Sequence, residues 1–121
     1  MTENERYALL CANATVLSAL TKKESAICKK LNTAVRRYQK LLVKFYGKQT
    51  DGSWFASQCT SAGVPFADWC TMHTLETKIF ALLKEREINA REQESLGVRI
   101  CFRNPFTGDK LPKEVGDAFL R

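Results

Sequence analysis

Two groups of residues in this chain have types and spacings suited to chemistry. The first is Cys70-x-x-His73, a thiol and the only imidazole of the sequence set three positions apart. That spacing is half of a metal site, or a thiol–imidazole pair for nucleophilic work. The second is TKKESAICKKLNTAVRRYQKLLVKFYGKQ, Thr21 to Gln49, with nine Lys or Arg residues and a single acid, Glu24. Its chemistry is the neutralisation of an anion.

The Cys–His pair carries little. Cys59 and Cys101 would have to complete a metal site, and their separations fit no zinc module. Residues three apart on a helix are neighbours by geometry alone, so their proximity needs no catalytic reason. The sequence has no Gly-rich phosphate loop, no paired acidic motif and no nucleophile elbow. The expectation is a chain that is not an enzyme, holds no metal and needs neither a cofactor nor a small-molecule substrate.

The basic stretch carries more. On a wheel at about 100° per residue, Lys22, Lys23, Lys29, Lys30, Arg36, Arg37, Lys40, Lys44 and Lys48 all fall within an arc of about 140°. Ile27, Leu31, Tyr38, Leu42 and Phe45 centre on the far side of the wheel. Residues 22 to 48 hold a net charge of +8 in a chain of +6, so all the rest sums to −2. Solvated helix faces ordinarily mix signs, because Glu–Lys pairs at i,i+4 stabilise a helix and like charges there cost about 0.2–0.5 kcal/mol each. Arg36 with Lys40, and Lys40 with Lys44, are like-charged pairs at that spacing. The pattern favours an anionic partner over a plain solvated face, which is the other reading of the same charges.

Nucleic acid is the first such partner. A rigid basic stripe spans several phosphates, and each one neutralised releases counterions. Seven Lys against two Arg favour backbone contact over bidentate reading of bases, so little sequence specificity is expected. An acidic groove on a protein would be met by the same charges. A membrane surface fits less well, because the apolar face of the helix is needed inside a bundle. Trp54-Phe55, in a Gly- and Ser-rich connection, either stacks on a base or partner protein or plugs the end of the bundle. Arg99 and Arg103 extend the basic surface from a C-terminal hairpin and, with Trp54 and Phe55, are the candidate partner anchors.

These residues need elements to hold them. Apolar recurrence at Tyr7, Leu10, Cys11, Ala14, Leu17 and Leu20 predicts a first helix over residues 3–20. Thr21-Lys-Lys-Glu24 reads as a capping box that starts a second helix, packed antiparallel on the first and running from Lys22 to about Gly47 or Lys48. Ile27, Leu31, Ala34, Tyr38, Leu41, Leu42 and Phe45 form its inner stripe, over a length of roughly 40 Å. A short helix fits between Ser53 and Ala62, capped by Ser53 and stopped by Gly63. A third long helix is expected from Phe66 to about Glu94, with Trp69, Met72, Leu75, Ile79, Leu82 and Leu83 inward. Its charged second half, KEREINAREQE, is expected to project beyond the core or fray. Val98, Ile100 and Phe102 alternate as a strand does, NPFTGD turns and KLP returns, and Pro112 opens a final helical turn through Val115, Ala118 and Phe119.

Composition bounds the rest. With 121 residues, 45% of them hydrophobic and 26% charged, the chain suits a single globular domain. The helical core would occupy residues 1–95, the hairpin and tail 96–121. The start MTENERYALL lacks the basic region of a signal peptide, and no apolar run reaches the roughly eighteen residues of a membrane span. Five cysteines, an odd number at wide spacing, argue against a disulfide scaffold and for reduced thiols, with Cys11, Cys28 and Cys70 as small hydrophobes inside helices. The expected molecule is a mainly α, cytoplasmic bundle of three principal helices, a short connecting helix and a minor β-hairpin. Its expected role is a non-catalytic nucleic-acid-binding accessory subunit with protein neighbours in a larger assembly. By architecture, subunits of RNA-guided effectors and phage or plasmid accessory proteins suit that description. The competing expectation is a protein–protein interaction module, such as a small inhibitor.

Overall fold

The apolar stripes of the second and third predicted helices face each other, and their contact is the core. In the computed structural model, which describes residues 1–111, the elements are α1 (Glu3–Ala12), α2 (Ala14–Tyr46) and α3 (Phe66–Ser95). A 3-10 turn, Ala56–Gln58, lies in the α2–α3 connection, and a small hairpin follows of β1 (Phe102–Arg103) and β2 (Lys110–Leu111). The expected final turn at Pro112, Val115, Ala118 and Phe119 lies outside the described residues. The molecule is mainly helical, as its periodicity predicts. Among the described residues no helix is long and apolar enough to cross a membrane.

α2 and α3 run antiparallel, as hydrogen bonds near both ends show. Tyr38 late in α2 bonds Glu76 early in α3, while Gln93 late in α3 bonds Glu24 early in α2. Between them lie Ile27, Leu31, Ala34, Val35, Tyr38 and Leu42 from α2, and Met72, Leu75, Ile79, Leu82 and Leu83 from α3. Truncating a fully buried member such as Leu31 or Ile79 to Ala should cost about 2–5 kcal/mol.

Two buried polar side chains of α2 are paired, whereas Asn89 Oδ1 on α3 is buried without a partner among the described residues. The Tyr38 hydroxyl donates to Glu76 Oε2 at 3.0 Å and accepts from the Ala56 N–H at 2.8 Å, pinning the 3-10 turn to both helices. Gln39 reads the backbone of Thr50 from both sides, donating to its carbonyl at 2.8 Å and accepting from its N–H at 2.9 Å. Each pairing satisfies groups that would cost free energy if buried alone.

Several sequence expectations are corrected. The first helix boundary falls at Asn13, not Thr21. Thr21 sits inside α2, its hydroxyl donating to the Leu17 carbonyl at 2.9 Å, so no capping box forms. Asn13 interrupts the helix for one residue (φ −113°, ψ 21°), its side-chain amide donating to the Leu9 carbonyl at 2.8 Å. This is the local competition with helical hydrogen bonding that Asn offers. α1 and α2 are therefore consecutive segments, not an antiparallel pair. Of the apolar positions assigned to the first helix only Leu20 is buried, and Tyr7 is 68% exposed.

α2 is consequently longer than expected, 33 residues or about 50 Å. Its added N-terminal turns explain a second correction. The charged half of α3 neither frays nor projects: the helix continues to Ser95, and Asn89, Ala90 and Gln93 are buried. α2 lies alongside, with Asn89 donating to the Leu20 carbonyl at 3.1 Å and Gln93 to Glu24 at 2.9 Å. The short helix expected over Ser53–Ala62 shrinks to its 3-10 turn, Ser53 capping nothing and bonding Asp51 instead. Among the described residues the strand pattern at Val98 and Ile100 contributes no strand, and pairing is limited to Phe102 with Leu111 and Arg103 with Lys110.

Candidate nucleic-acid interface

α2 holds its basic face in place because its opposite face is committed to α3. Each buried position from Leu20 to Leu42 fixes the rotation of the helix, so the residues between them must point outward. Lys22, Lys23, Lys29, Lys30, Arg36, Arg37, Lys40 and Lys44 are all exposed. From Lys22 to Lys44 the row extends about 33 Å along the axis. Lys48 departs from it. Gly47 takes the left-handed conformation (φ +75°) with its N–H on the Val43 carbonyl, which ends α2 before Lys48. Such a positive φ suits glycine, since it has no Cβ to clash.

No ion pair within the described residues involves any of these nine side chains. The lone acid of the stretch does not neutralise them. Glu24 lies on the other side of α2, half-buried, its carboxylate held by Gln93. Two lysines rest on aromatic rings, Lys44 at 5.2 Å from the Phe45 centroid and Lys48 at 5.1 Å from that of Trp54. Such contacts leave the positive charge intact and accessible.

The four candidate anchors are placed differently. Trp54 and Phe55 are half-buried, and both pack on the core cluster. Phe55 meets Phe80 at 4.9 Å, Phe106 at 5.8 Å and Tyr38 at 6.3 Å, while Trp54 stands edge-on to Tyr46 at 6.2 Å. The pair is packed against the core cluster at its margin. Arg99 and Arg103 line a cleft of about 280 Å³ with Glu24, Cys28 and Arg86. That is the side of α2 away from the basic row. Arg99 is paired with Glu3, which also bonds Arg6, and the guanidiniums of Arg6 and then Arg99 hold the Glu3 carboxyl below its usual range. Arg103 donates to the Gly108 carbonyl at 3.1 Å.

Cys70 and His73 are exposed, and the His73 ring stands against Trp69 at 5.1 Å. Among the described residues no group of three or more His, Cys, Asp or Glu side chains could hold a metal ion. All five cysteines are free thiols. Cys11 and Cys70 lie in helices as expected but are exposed, so they do not act there as buried small hydrophobes. Cys28 is half-buried, and burial raises its thiol pKa.

Residues the sequence did not single out border the row on both sides. On one side Arg37 shares a cleft of about 320 Å³ with Lys78, Thr71, Thr74 and Cys70 of α3, so Lys78 adds an exposed cation. On the other side Arg36 and Lys40 edge a cleft of about 300 Å³ reached also by Gln49 and Phe106. Asn32 lies about 40° outside the basic arc on the helix wheel, but nothing local brings Phe106 to α2. No family model, curated protein or solved structure matches the chain.

Proposed function

We propose that the protein is a non-catalytic nucleic-acid-binding accessory subunit that grips the phosphate backbone without sequence specificity. The observation that carries this reading is the outer face of α2, eight exposed cations in one row with no carboxylate paired to any of them among the described residues. A face of that kind lowers its own repulsion by meeting a polyanion, and the entropy of released counterions drives the contact. Lysine predominates, and lysine meets phosphate as a point charge more readily than it reads a base. Burial of the opposite face against α3 supports a straight, preorganised track, which loses little freedom on binding. A small size and a one-sided charge suit a subunit that lines nucleic acid within a larger assembly.

The test is fluorescence anisotropy with labelled DNA and RNA oligonucleotides at about 50 and about 200 mM salt. Binding should weaken steeply with salt and to a similar extent for unrelated sequences. No binding at the lower salt would retire the reading and leave the row to an acidic protein partner.

A further inference from the structure

The cleft beside Arg36 and Lys40 combines features that a phosphate track does not need. Its walls are apolar where Val35 of α2, Pro105 and Phe106 meet, and its rim carries Asn32, Gln49, Arg36 and Lys40. Gln39, which also lines it, is committed to the Thr50 backbone. The four rim side chains are all exposed, and none makes a hydrogen bond or ion pair within the described residues. Two neutral amides and two cations thus surround an apolar space of about 300 Å³, the lower end of the range for small-ligand sites.

The far wall is fixed, not draped. Asn104 Oδ1 accepts from the Phe106 N–H at 2.8 Å, while its amide donates to the Asp51 carbonyl at 2.6 Å. Phe106 also stands edge-on to Phe55. The hairpin turn is therefore anchored to the α2–α3 connection, and the cleft exists before any ligand arrives.

We propose that this cleft seats an unpaired base, so that the nucleic acid bound on α2 is single-stranded. The inference rests on the phosphate-track reading and adds the substrate class to it. A base presents a flat apolar face and a polar edge, which match the Phe106–Pro105 wall and the Asn32 and Gln49 amides. Its flanking phosphates fall to Arg36 and Lys40, one helical turn apart. In a duplex the same faces are stacked and the edges paired, and the cleft has nothing to receive. Either amide can donate and accept, so tolerance of all bases is expected.

The experiment compares three ligands of equal phosphate number: a single strand, the same strand made wholly abasic, and a duplex. They are titrated against the wild-type chain and Asn32→Phe, which fills the cleft from an exposed rim position. Gln49→Phe on the opposite rim serves if the first variant does not fold. The single strand should bind about tenfold tighter than the abasic strand, the worth of one stacked base. Asn32→Phe should erase that difference while leaving duplex affinity unchanged. Equal binding of single and abasic strands, with a steep salt dependence, would overturn the cleft and leave the phosphate track standing. A variant that weakens the duplex as much as the single strand would overturn it as well. Absence of binding to all three at low salt would remove the track and the cleft together.

Discussion

α2 and α3 are similar in length and bury similar apolar residues against each other, yet they treat charge in opposite ways. α3 carries six acids and four Lys or Arg residues, and Arg91 bridges Glu87 at 2.6 Å and Glu94 at 3.3 Å along its own surface. α2 carries eight Lys or Arg residues and one acid, and that acid faces α3. α3 pairs part of its charge along its own surface, through Arg91. α2 leaves its eight cations without a carboxylate partner among the described residues, and a helix that tolerates like charges at i,i+4 forgoes stability that mixed signs would have provided. The lesson is that total charge says less than where charge is left uncompensated.

The largest expected effect comes where the two helices meet. Tyr38→Phe removes the donor to buried Glu76 and the acceptor of the Ala56 N–H, and should lower stability by about 3 kcal/mol in urea unfolding. Burial, with the Glu76 charge beside it, holds the Tyr38 phenol above its ordinary range. The native state therefore favours the neutral phenol. Its contribution should be full below about pH 10, the ordinary tyrosine value, and fade as pH rises beyond it. The gap between wild type and variant should narrow accordingly.

Next in size is the difference between the two outer faces. Lys40→Glu with Lys44→Glu should weaken nucleic acid binding by about tenfold or more and lower the salt slope by about two or more. Charge reversal at Lys84, exposed on α3, should leave affinity nearly unchanged. Equal losses from both would end the distinction between the faces.

Smaller effects sharpen the same contrast. Arg91→Ala should destabilise by about 1 kcal/mol, since it loses two partly buried carboxylate contacts and the stacking of its guanidinium 5.5 Å from the Phe102 ring. Lys40→Glu alone should do the reverse. It converts two repulsive pairs, with Arg36 and with Lys44, into attractive ones and should stabilise by about 0.5 kcal/mol. A residue whose replacement improves the fold but harms binding is the signature of a face kept for a partner. Loss of stability on that substitution would count against it.

The two long apolar stripes, the one-sided basic row and the mainly helical class were legible in the sequence, because each follows from a period within one element. The register of α2 needed no knowledge of α3, since the 3.6-residue repeat separates the two faces unaided. The helix break was misplaced for an instructive reason. Thr21 through Glu24 has the residue types of a capping box, but those types act as a cap only where the chain stops being helical. Leu20 beside Asn89, and Glu24 beside Gln93, hold that stretch helical by tertiary contact.

By itself the sequence determined which face of α2 is apolar, which is basic, and that the excess positive charge of the chain belongs to that one helix. Periodicity and charge are local, and the chain carries them into any fold that keeps the helix. Only the tertiary structure decided that Gln93 holds the Glu24 carboxylate, that Trp54 and Phe55 pack on the core cluster, and that the turn around Phe106 stands beside Arg36 and Lys40. Those facts depend on side chains tens of residues apart meeting across a shared core, and no short-range pattern encodes a meeting of that kind.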